Sequence, residues 1–152
     1  MGYKLDRFDK AAAPLLRPGE SIVGGTWART PGSFANERAL GLVAGAATQL
    51  GSAAAGDLHL PKAFEVAVTD RRLLFFQRRF MTGRPGDLVL EVDLGDVVAA
   101  KLTGEKGGIH GAAVHLADGR SIQLQVAKMG AGKQAAGFVD AVEAQRAAAG
   151  AN

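Results

Sequence analysis

The chain has no cysteine. That excludes disulfide staples and thiolate metal sites, and it fits a reducing compartment. Histidine is scarce, with only His59, His110 and His115. His110 and His115 are five apart on a predicted strand and so face opposite sides, and no carboxylate recurs beside them at metal-ligand spacing. No Ser-His-Asp arrangement can be assembled, so no catalytic residue, metal or cofactor is expected. The opening MGYKLDRFDK lacks the apolar core of a secretion signal, and its Met1-Gly2 start fails the myristoylation pattern at Asp6. The expected location is cytoplasmic, or peripheral at the inner face of the membrane.

Two phosphate-loop look-alikes also fall short. In Met129-Gly130-Ala131-Gly132-Lys133-Gln134 a Walker loop would need glycine at Ala127 and Ser or Thr at Gln134. A dinucleotide fingerprint through Gly130, Gly132 and Ala135 would need a further strand after the helix, and the sequence has none. The segment reads as a strand-to-helix turn.

What is present is a 152-residue chain of net charge +3, one domain by length and able to bury about 68–70% of its unfolded surface. The excess charge is local. Arg71, Arg72, Arg78, Arg79 and Arg84 fall between Asp70 and Asp87 with no acidic residue among them. Such a run either lines a solvated face and pairs with Asp70, Glu65 or Asp87, or attracts anions.

The apolar period is two over most of the chain. A first strand region is expected within 15–30, then strands near 63–69, 72–79, 88–94, 97–103, 109–117 and 120–127. Phe64, Val66 and Val68 should share one face; so should Leu88, Leu90, Val92 and Leu94, with Glu91 and Asp93 on the other. Around Ala117-Asp118-Gly119, a three-residue loop with Gly119 as left-handed bulge residue pairs Val114 with Ile122 and Ala112 with Leu124. A helix over 131–148 presents Ala135, Phe138, Val139 and Val142. Residues 1–20 read as a lead-in with weak helical character, ended by Arg17-Pro18-Gly19-Glu20.

Residues 36–56 differ in kind. Asn36 is a plausible helix N-cap, and 39–56 carries no charge. Leu40, Val43, Ala47, Leu50 and Ala54 make an apolar seam, and Gly41, Gly45 and Ser52 belong to a stripe of small residues. The run only just reaches spanning length, and its Ala/Gly content with Thr48, Gln49 and Ser52 would drive membrane insertion weakly. With no βαβ alternation, the expected fold is α+β: a partly open antiparallel β-barrel or sandwich of about seven strands, a C-terminal capping helix, and an inserted helix after the first strand.

Four segments resemble the pleckstrin-homology-like superfamily, especially its GRAM and bacterial PH-like branches. They are Leu16-Arg17-Pro18-Gly19-Glu20, Val68-Thr69-Asp70-Arg71-Arg72-Leu73-Leu74, Val92-Asp93-Leu94-Gly95-Asp96-Val97 and Leu116-Ala117-Asp118-Gly119-Arg120. The resemblance covers about residues 15–146; the insert departs from it. It implies a bent, partly open barrel capped by the last helix, and no shared chemistry, since that superfamily spans lipid binders, peptide binders and scaffolds.

Two functional classes follow. One is a scaffold that forms homo-oligomers through the insert, with Leu40, Gly41, Val43, Gly45, Leu50 and Ser52 at the contact. The other is a peripheral binder of anionic lipid headgroups through Arg71, Arg72, Arg78, Arg79 and Arg84, with Phe80 and Met81 as an apolar tip. Nucleic acid is not expected as a partner, because stacking aromatics are not interleaved with the basic residues. No small-molecule substrate is evident.

Overall fold

The computed structural model describes residues 5–30, 62–78, 85–127 and 131–150. The expected insert at 36–56, and with it every proposed oligomer-contact residue, lies outside the described residues.

Helical turns at Leu5–Phe8, α1 (Asp9–Ala12) and Ala13–Leu15 lead into seven strands. These are β1 (Ile22–Arg29), β2 (Ala63–Thr69), β3 (Arg72–Arg78), β4 (Pro85–Asp93), β5 (Val97–Lys106), β6 (Ile109–Leu116) and β7 (Ser121–Val126), followed by helix α2 (Ala131–Gly150). The strands form one antiparallel sheet in the order β4-β3-β2-β1-β7-β6-β5. β4 and β5 are its two edges, so the sheet is open. A single residue pair, Arg29 with Gln125, joins β1 to β7, and both halves contribute to one core.

Alternation decides the faces. Phe64, Val66 and Val68 of β2 meet Leu73 and Phe75 of β3, Val114 of β6, and Ile122 and Leu124 of β7 in that core. Ala135, Phe138, Val139 and Val142 of α2 close it, as their spacing predicts. The β6–β7 hairpin has the expected register, Val114 opposite Ile122 and Ala112 opposite Leu124. Gly119 has a φ of 91°, its N–H donates to the Leu116 carbonyl at 3.0 Å, and the Leu116 N–H donates to the Arg120 carbonyl at 2.9 Å. That is a three-residue loop whose last residue needs the left-handed region.

Two expectations are corrected. Leu88 does not share a face with Leu90, Val92 and Leu94. Phe75 opposes Leu90 but Phe76 opposes Leu88, so Val89 is an extra residue and Leu88 changes side. Leu88 is consequently 36% exposed, while Val92 and Leu94 are buried. The lead-in expected over 1–20 is also, from Leu5 on, part of the packed structure. Phe8 and Ala12 are fully buried on the outer face of β2 and β3, against Ala67, Leu74 and Phe76. Both faces of β2 and β3 are therefore dry.

The pair Gly24-Gly25 makes this possible, because adjacent strand residues point to opposite faces. A Cβ on Gly24 would stand 2.7 Å from the Ala141 Cβ of α2, and one on Gly25 would stand 2.8 Å from the Phe8 ring and the Val66 carbonyl oxygen. The Val66 oxygen is main chain and cannot step aside. Gly25→Ala is therefore expected to destabilise the fold by about 1–3 kcal/mol, as overpacking does, and a chemical denaturation midpoint measures it.

Candidate functional site

The described arginines of the basic run, Arg71, Arg72 and Arg78, do not form one patch. β3 carries Arg72 at one end and Arg78 at the other, about 20 Å apart at the rise of a strand. Arg71 is exposed at the β2–β3 turn beside Arg72, whereas Arg79 and Arg84 lie outside the described residues.

Arg72 is not at the surface. It is 5% exposed, and its Nε and Nη2 donate to the Glu20 carboxylate, each at 2.9 Å. Its other donors reach Glu91 and the Leu15 carbonyl. Glu20 also accepts from the Thr69 hydroxyl at 2.6 Å and from the Arg17 N–H at 2.9 Å. Thr69 in turn accepts from the N–H groups of Arg71 and Arg72, at 3.1 and 2.9 Å. The Asp70 carboxylate accepts the Ser21 N–H at 3.2 Å. Burial opposes the Glu20 charge, but hydrogen bonds from Arg72, Arg17 and Thr69, together with the Arg72 charge, outweigh it and hold the carboxyl at about 2 instead of 4.5. Arg17-Pro18-Gly19-Glu20 and Thr69-Asp70-Arg71-Arg72 are thus two halves of one knot that ties the start of β1 to the β2–β3 turn.

The far end of the same half-sheet has a different character. Arg29 ends β1, Lys62 precedes β2 and Arg78 ends β3, so antiparallel pairing brings all three to one end. On the outer face the register aligns Trp27, Glu65 and Phe76, and the Arg78 guanidinium lies over the Trp27 ring, 5.0 Å from its centroid. Glu65 is fully buried there and bonded to Arg7, whose Nε is 2.8 Å and Nη2 2.7 Å from Glu65 Oε1. The sequence reading missed Arg7, Arg29 and Lys62. A signal for two of them was present: Arg29 and Lys62 flank the connection between two antiparallel strands, which must return to the end it left.

The histidines stay apart. His110 packs against the start of α2, where a Cβ on Gly132 would be 3.0 Å from its ring. His115 faces the opposite side, across from Ser121; His59 lies outside the described residues. Among the described residues no three His, Asp or Glu side chains gather at a spacing that could hold a metal. Among them, too, no helix is long and apolar enough to cross a membrane. No family model and no curated protein matches this chain.

Proposed function

We propose that this is a non-catalytic binding domain of the pleckstrin-homology-like kind that docks on anionic surfaces through the sheet end bearing Arg29, Lys62 and Arg78. Seven antiparallel strands followed by one covering helix support the fold part of this reading. The observation that carries the functional part is the gathering of three cations at one sheet end, with Arg78 stacked on Trp27. In sequence, the connection 79–84 adds Arg79, Arg84, Phe80 and Met81 and no acidic residue. The ligand chemistry is a phosphate-bearing membrane surface, to which each nearby basic residue contributes about 1 kcal/mol.

Co-sedimentation with vesicles of anionic or neutral lipid at two salt concentrations tests this. Binding to the anionic vesicles should fall with salt, and Arg29→Glu with Arg78→Glu should weaken it about tenfold or more. Binding that ignores vesicle charge, salt and both substitutions refutes the reading.

A second reading is a scaffold that self-associates through 36–56. The charge-free run 39–56 with its small-residue stripe favours it, since a helix exposed on one side would carry polar residues there. Gly45→Leu should then block close approach and reduce the assembled fraction.

A further inference from the structure

We propose that the open edge of β5 is a contact between two copies of this chain, paired antiparallel about a two-fold axis at Ala100. β5 is the last strand of the sheet; it pairs with β6 on one side, and among the described residues no strand pairs with the other. Val98 and Leu102 of this edge are each 54% exposed, more than any other large apolar side chain among the described residues. Between them Ala100 turns its side chain into the core, at 5% exposure. Its N–H points out of the sheet edge, where it donates to Glu143 Oε2 of α2 at 2.9 Å.

In an antiparallel pair of identical strands, opposed residue numbers have a constant sum. A register with Ala100 opposite itself lets the two copies exchange both N–H···O=C bonds at the axis. The same register sets Val98 of each copy opposite Leu102 of the other, so all four exposed side chains gain an apolar cross-strand partner. An isologous contact requires this self-complementarity, and it closes at two copies instead of growing into a fibre. Val98 is the extra residue of a register shift between Val97 and Ala99, and a second shift follows between Leu102 and Gly104, so the irregularities of β5 stand at both ends of the run 98–102. They confine pairing to 98–102 and so prevent the strands from slipping into other registers.

Charge separates this edge from the opposite one. β4 exposes Asp87, Glu91 and Asp93, so two β4 edges would bring carboxylates together and repel. Within 98–102 the only charge is Lys101, which the register places opposite Ala99. Glu143 is the competitor: its carboxylate occupies the Ala100 N–H in place of a strand carbonyl, and Arg146 holds it there through bonds of 3.0 Å. On pairing it gives up that N–H and keeps Arg146. A contact this short makes a weak dimer whose population depends on concentration.

Sedimentation of the intact chain over a concentration series tests the proposal, with a thermal melt of each variant to verify folding. The mass should move from one copy toward two as concentration rises. Leu102→Lys, at an exposed position, should abolish the dimer, and Glu143→Ala should shift the midpoint to lower concentration by freeing the Ala100 N–H. A dimer that survives Leu102→Lys overturns the proposal, as does a chain that stays monomeric both as wild type and as Glu143→Ala. Association lost in Gly45→Leu but kept in Leu102→Lys assigns the contact to 36–56 and overturns it too. β5 stands at the opposite side of the sheet order from β3, so vesicle binding through Arg29 and Arg78 succeeds or fails independently.

Discussion

Arg72→Ala is expected to remove about 3–5 kcal/mol of stability, the loss that follows when one partner of a buried ion pair is deleted. The reason is what remains. The Glu20 side chain is fully buried, and without Arg72 it must either stay charged with only the Thr69 hydroxyl and the Arg17 N–H for partners or take up a proton, and both cost stability. The Leu15 carbonyl and Glu91 lose a donor at the same time. Urea denaturation of wild type, Arg72→Ala, and Arg72→Met combined with Glu20→Gln checks this. The double variant should recover part of the loss, because no uncompensated charge is left inside. Acid offers a second check. Glu20 titrates at about 2 in the folded chain against 4.5 ordinarily, so its contribution of roughly 3 kcal/mol is fully present above pH 4.5 and is lost as pH falls through 2. Glu20→Gln should flatten the acid limb of the stability curve in that window. An unchanged limb would show that the carboxylate is not held by this network.

Phe8→Ala should be comparably damaging, at about 3–5 kcal/mol for a fully buried phenylalanine. The Phe8 ring is completely buried, lies 5.9 Å from the Phe76 ring between centroids and fits over Gly25. Its removal would open a cavity over Ala67 and Leu74 and loosen the helical turns at Leu5–Phe8 and α1 from the sheet. A drop in melting temperature of about 2–4 °C per kcal/mol is the readout for a chain of this size. A shift of a degree or less would mean that the docking of the helical turns at Leu5–Phe8 and α1 is dispensable to the fold.

Much of the architecture was legible because it is written locally. Alternation located β2 through β7, the Asp118-Gly119 turn selected one hairpin register out of two, and the 3.6-residue spacing of Ala135, Phe138, Val139 and Val142 located the face of α2. The candidate site was legible only in part. A run of arginines looks like one patch along the sequence, but a strand rising about 3.3 Å per residue carries its two ends far apart. Arg71 and Arg72 therefore belong to a structural knot at one sheet end, and Arg78 to the basic end together with Arg29 and Lys62, which lie outside the run in the sequence.

By itself, then, the sequence determined the types, order and most of the faces of the seven strands and α2, because periodicity, turn chemistry and the lack of helix–strand alternation act between neighbouring residues. Only the tertiary structure decided that Arg72 is buried, since its partner Glu20 is 52 residues distant and nothing local distinguishes a paired arginine from a solvated one. It also decided that Phe8 and Ala12 dry the outer face of β2 and β3, and that one extra residue at Val89 turns Leu88 away from the core. Both depend on which surfaces meet across the sheet, and burial is a property of that meeting, not of any segment alone.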